Sequence, residues 1–145
     1  MGRRKVPTAT PLPKALACGM LEDNGRVLFL VRLDVSGIER IELPSIIVPS
    51  GRSAFAEIKN EFARSTGIDG EVHEIVMESR FNAGTRKRKA WVPVLVFKVT
   101  ARNRNAKPPP SEFSGFKWLS LEDAKKMRLD RKLEWLRRVS GTRPA

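Results

Sequence analysis

The chain has 145 residues, enough for one domain with its own core. Its 41% hydrophobic content suits a globular protein, and no apolar run approaches the ~20 residues needed to span a membrane. The formal net charge of +12 favours a polyanionic partner over a small metabolite, which needs only a local positive site.

Residues 1–13 (MGRRKVPTATPLP) lack periodicity and read as a flexible basic arm carrying Arg3, Arg4 and Lys5. A single domain is expected over 14–140, with a short tail over 141–145. Lys14 to Leu21 reads as a strand. Within it Cys18, the one cysteine, is expected to be a buried, inert thiol, which leaves no disulfide framework and no cysteine-based zinc site. A cytoplasmic location is expected. Asn24-Gly25 is a hairpin turn signal, and Arg26 to Leu33 is the nearly continuous apolar run of a strand covered on both faces.

Asp34 to Ile38 is a loop, Glu39 to Leu43 is a short strand, and the following segment, limited by Pro44 and Pro49, reads as loop. Ser53 can cap a helix running to about Thr66 and closed by Gly67. Phe55, Ile58 and Phe62 recur at helical spacing and predict one buried stripe. Glu71 to Phe81 reads as a strand with imperfect alternation, and Asn82 to Lys89 as a turn with a basic tip. Trp91 to Val99 is a strong strand in which Pro93 predicts an edge or a bulge. A Pro-rich loop from Arg102 to Ser111 leads to a short strand, Phe116 to Leu119. Ser120 then caps a helix, with Asp123 at the capping-box position. A last helix, about Arg131 to Val139, points Leu133 and Leu136 inward.

The segment LPSIIVPSGRSAFAEIKNEFARSTGI, residues 43–68, resembles the signature of the Nudix family, hydrolases of nucleoside diphosphates linked to another moiety. That signature runs Gly, five residues, Glu, seven residues, Arg-Glu-aliphatic, one residue, Glu-Glu, one residue, Gly-aliphatic. Gly67-Ile68 matches its close and Glu61 its central Glu; Ile46, Arg52, Asn60 and Arg64-Ser65 stand where the Gly, first Glu, Arg and Glu pair would be. The resemblance extends over roughly 14–128 and implies an α/β fold, a Nudix-like α/β/α sandwich with a mixed β-sheet. It also implies Mg²⁺ or Mn²⁺ chemistry on a pyrophosphate, which needs oxygen ligands clustered on one helical face. Here that face reads Glu61, Arg64, Ser65, so Arg64 is expected to pair with Glu61 and substitute for the metal. Glu57, one turn earlier, keeps a relocated carboxylate pair open and also reads as an ordinary solvent-facing Glu; Glu39 and Glu42 are permitted partners. Glu112 lies where some Nudix enzymes place a base, and reads here as exposed loop. His73, the one histidine, reads as structural, although a catalytic base is conceivable.

Between Phe81 and Ser111 there is no Asp or Glu. Arg86, Lys87, Arg88 and Lys89 form one basic cluster and Arg102, Arg104 and Lys107 another, at opposite ends of a strand about 30 Å long. Phosphate-backbone contact is the functional reading, and a solubilising loop pair is the alternative. Trp91 and Phe81, beside the tip, could stack bases, with core packing the alternative for each.

Three readings follow. The favoured one is a catalytically degenerate Nudix-fold protein that binds RNA or a ribonucleoprotein through both clusters and the arm, with no cofactor and no membrane. A second is a metal-dependent pyrophosphohydrolase of a nucleoside diphosphate derivative such as ADP-ribose, using Glu61 with Glu57. A third is a non-hydrolysing nucleotide sensor whose Arg52 and Arg64 hold phosphates.

Overall fold

Asn24 and Gly25, with φ of 54° and 78°, make the turn from which the sheet grows. In this computed structural model, which describes residues 12–139, they join β1 (Pro13–Asp23) to β2 (Arg26–Leu33). Two consecutive residues at positive φ give the turn whose twist matches that of paired strands, and Asn-Gly tolerates it best. Arg3, Arg4 and Lys5 lie outside the described residues. The strand begins at Pro13, inside the stretch expected to be arm, and Ser50 N–H donates to the Leu12 carbonyl at 2.8 Å.

Five more strands complete a mixed, seven-stranded sheet: β3 (Glu39–Glu42), β4 (Ser45–Pro49), β5 (Glu71–Asn82), β6 (Trp91–Thr100) and β7 (Gly115–Leu119). The main path runs β3-β2-β1-β6-β5; β4 pairs with β1 and β7 with β2. β6 runs parallel to β1, and the other pairings are antiparallel. Helix α1 (Ala54–Thr66) covers one face, where Ile58 and Phe62 meet residues of β1 and β6 such as Ala17, Leu21, Phe97 and Val99. The short α2 (Leu121–Ala124) and a closing 3-10 helix (Arg131–Arg138) cover the other, where Leu133, Trp135 and Leu136 pack on Leu16, Cys18, Phe29 and Val94. The result is the expected α/β/α layering. Cys18 is fully buried, and loss of solvent pushes its thiol far above the usual range, as an inert core residue requires.

Three expectations are corrected. Ser45 to Pro49 is a strand, because Pro44 and Pro49 bracket rather than interrupt the residues that pair with Ala15 to Cys18 of β1. Phe55 is 46% exposed; the buried positions of α1 are Ile58, Phe62, Ser65 and Thr66, and Phe55 only touches Phe97 edge-on at 6.2 Å. β6 is an interior strand, yet Pro93 fits, because pairing with β1 starts at Val94 and Pro93 faces β5 alone. The bulges lie in β5 instead, between Val72 and Met77, which explains its imperfect alternation.

Ser53 Oγ accepts from Ala56 N–H at 3.1 Å, and Gly67, at φ 73°, donates to Ala63 O at 2.9 Å, so α1 is capped at both ends as its sequence predicts. A Cβ on Gly67 would stand 3.0 Å from the Lys107 carbonyl oxygen as well as straining φ. Gly67→Ala is therefore expected to cost roughly 1–2 kcal/mol in urea unfolding, and an unchanged midpoint would contradict this capping geometry.

Candidate functional site

The exposed face of α1 carries Glu61, the residue that matches the central Glu of the signature. Arg64 lies one turn from Glu61 and grips both of its oxygens, with Nε to Oε1 at 2.9 Å and Nη2 to Oε2 at 2.7 Å. The same guanidinium also holds Glu112, from the loop before β7, with Nη1 to Oε2 at 2.8 Å and Nη2 to Oε1 at 2.9 Å. Glu112 is thus drawn onto the helix face rather than left as free loop. Arg52 Nη2 donates to Glu57 Oε2 at 3.0 Å, so the other candidate carboxylate is paired too.

The pairing continues inward. Arg32 of β2 lies 3.8 Å from the Glu112 carboxylate, stacks over Phe113 at 4.7 Å, and donates from Nε to Glu42 Oε2 at 2.8 Å. Glu42 is only 2% exposed and also meets Lys132 Nζ at 3.2 Å. Glu61, Arg64, Glu112, Arg32, Glu42 and Lys132 form one alternating chain of charges from surface to core. Arg32 and Lys132 were not singled out from sequence; Glu42, which they share, lies 10 and 90 residues away from them, beyond any local pattern. The contacts shift two groups. Hydrogen bonding to Glu61 and then Glu112 pushes the Arg64 guanidinium further up. Hydrogen bonding to Arg64 holds Glu112 below its ordinary value, burial opposing this only in part.

Solved structures share this architecture. The MutT protein from Methanosarcina mazei Go1 superposes with a TM-score of 0.63 at 20% identity, over 90% of this chain and 94% of that one. A Nudix hydrolase from Nitrosomonas europaea gives 0.62 at 12% identity, over 80% of each chain. The Nudix domain of Shewanella oneidensis NrtR, solved with ADP ribose, gives 0.59 at 16% identity, over 94% and 90%. This chain has the Nudix fold. No family model matches the sequence, and no curated protein matches it.

The Nudix resemblance implies a divalent metal, but the side chains present do not fit one. Both oxygens of Glu61 and both of Glu112 are engaged by Arg64. Among the described residues no three His, Cys, Asp or Glu side chains converge as metal ligands. Glu39 and Glu42 do not turn toward α1: Glu39 lies 3.9 Å from Lys117, and Glu42 is buried with Arg32 and Lys132. Arg64 brings its charge to the place where the signature would put a carboxylate. An open cavity of about 630 Å³ lies elsewhere, among Met20, Glu22, Asn24, Glu74, Val76 and Lys98, with no signature residue in its walls.

The two basic clusters do flank β6. Arg86 to Lys89 are exposed at the β5–β6 tip; Arg102 and Lys107 are exposed beyond its other end, and Arg104 there pairs with Asp23 at 2.7 Å. Trp91 is 48% exposed, whereas Phe81 is in the core, because alternation turns it to the face covered by the closing helix. His73 meets Thr100 Oγ1 at 2.7 Å, and among the described residues it belongs to no group of three or more side chains that could hold a metal ion.

Because Glu112 is depressed, its contribution to stability is present above the unfolded-state value and is lost as pH falls through the lower folded-state value. Arg64→Gln is expected to return the Glu112 carboxyl toward its ordinary 4.5, followed by NMR of its carboxyl carbon, and to cost no more than about 1 kcal/mol at neutral pH for so exposed a pair. An unmoved titration would show that Arg64 does not control Glu112.

Proposed function

We propose that this is a Nudix-fold binding protein that engages RNA or a ribonucleoprotein and does not carry out metal-dependent hydrolysis. The observation that carries the reading is Arg64, whose guanidinium is chelated by Glu61 and Glu112 and leaves a divalent cation no free carboxylate there. A metal would have to break two bidentate contacts and accept a positive neighbour. The polyanion half rests on the acid-free stretch 82–110 and on its two exposed clusters flanking one strand. Carboxylates balance the arginines near α1, but they do not balance Arg86 to Lys89.

One observation favours a second reading, a nucleoside-diphosphate hydrolase: the likeness in fold to the Nitrosomonas europaea hydrolase. In that case Glu61 is a ligand once Arg64 moves aside, with Glu57 its nearest helical partner. Fold is a weaker guide than site, since one scaffold hosts many activities.

A nucleotide panel including ADP-ribose and diadenosine polyphosphates, with Mg²⁺ or Mn²⁺ against EDTA, is expected to show no metal-dependent turnover. Turnover abolished by Glu61→Gln would establish the hydrolase instead. Affinity for a labelled RNA is expected to fall roughly 50-fold between about 50 and about 200 mM salt, for about four single-strand phosphate contacts. A flat response would remove the polyanion reading.

A further inference from the structure

Three features meet at the β5–β6 hairpin end. The first is an edge. β5 is the last strand of the sheet, and Ala83 N–H pairs inward with Ala90 O, so the carbonyls of Arg80, Asn82 and Gly84 point out along the open side. Arg131 Nη2 donates to Asn82 O and Gly84 O, each at 2.6 Å, and Arg138 Nη2 donates to Arg80 O. Two arginines of the closing helix thus seal this part of the edge against another strand. Carbonyls are neutral, so sealing it leaves both positive charges uncancelled.

The second feature is an exposed aromatic. Trp91 starts β6 opposite Asn82, and Arg80 lies over its ring at 5.0 Å. With one face beside Arg80 and 48% of the residue exposed, the indole has surface left for another planar group. It borders a shallow hollow of about 180 Å³ shared with Phe81, Arg131, Glu134, Trp135 and Arg138.

The third feature is charge. Among the described residues, none of Arg80, Arg131, Arg138 and the 86–89 tip stands within ion-pair distance of a carboxylate, although Glu134 lines the same hollow. By contrast, Arg32, Arg40, Arg52, Arg64 and Arg104 each face a carboxylate. A dense group of cations without a carboxylate partner thus surrounds the exposed Trp91.

We propose that this surface is a platform for single-stranded RNA: a base stacks on Trp91 while the 86–89 tip, Arg131 and Arg138 contact the flanking phosphates. Stacking selects single strands, whose bases are free, over duplex, whose bases are already stacked. Phosphate contacts supply affinity without sequence readout. The inference rests on the RNA-binding reading above and adds to it the site and the strandedness.

The test uses the full chain and fluorescence anisotropy with a labelled oligo-uridine, its DNA counterpart and an RNA duplex. The single-stranded RNA is expected to bind more tightly than the duplex, and Trp91→Ala to weaken it about tenfold, while Trp91→Phe keeps a stacking face and stays within about threefold. Replacing Arg86, Lys87, Arg88 and Lys89 together by Ala should weaken binding and flatten the salt slope by about 0.7 for each phosphate that the tip no longer neutralises. If Trp91→Ala binds as the parent does, the stacking mode is wrong. If only Arg102→Ala with Lys107→Ala weakens binding, the platform is wrong and the functional reading stands with its site at the other loop. Preference for the DNA strand would overturn the assignment to RNA. No binding to any of the three at low salt would overturn both the platform and the functional reading.

Discussion

A carboxylate with almost no exposure needs positive charge brought to it, and Glu42 obtains it from two directions. Arg32 reaches it along the sheet from the paired strand, and Lys132 reaches it from the closing helix. An ion left alone in such a place would cost several kcal/mol, so the three groups must arrive together. Their meeting places the closing helix over β3 and the core residues around Cys18. It also aims the other side of the Arg32 guanidinium at Glu112 and Phe113. Glu112 is then held where Arg64 can take it. The electrostatics of the signature helix are thereby tied to a buried charge on a different element.

This chain of charges explains how α1 keeps its place with Arg64 where the Nudix signature has a carboxylate. Ser53, Ile58, Phe62 and Gly67 are caps or core, and all four keep the roles that the fold requires. Facing outward, Arg64 keeps Glu61 from meeting Glu112 without a cation between them. A guanidinium answers that need with donors in a fixed fork, which a lysine ammonium would not match. Unlike a dissociable ion, it is part of the chain and does not depend on metal concentration.

Local chemistry was legible in the sequence wherever it acted over a few residues. The Asn24-Gly25 turn, the Ser53 and Gly67 caps and the Arg64–Glu61 pair all span about one helical turn or less in their decisive contacts. Elements whose meaning depends on a distant partner were not legible. Ser45 to Pro49 is a strand only because β1 lies beside it, and Phe55 stays exposed because α1 rolls Ser65 and Thr66 inward. Glu112 looked like loop because Arg64, 48 residues earlier, is what orders its side chain. Phe81 and Trp91, nearly opposite each other across one hairpin, differ in fate solely by which face of the sheet each takes.

The distribution of charge follows the same division. Around α1 and β3, Arg32, Arg40, Arg52, Arg64 and Lys132 are paired with carboxylates, so their charge is largely cancelled within the molecule. At the β5–β6 end Arg131 and Arg138 also have a structural task, sealing a strand edge, but they perform it on carbonyls and so keep their field outside the protein. An edge could be covered with less charge, by a short strand, a bulge or a single lysine. Two arginines beside a four-residue basic tip and an exposed indole exceed that need. That surplus, set around a planar ring, is the observation on which the proposed RNA platform rests.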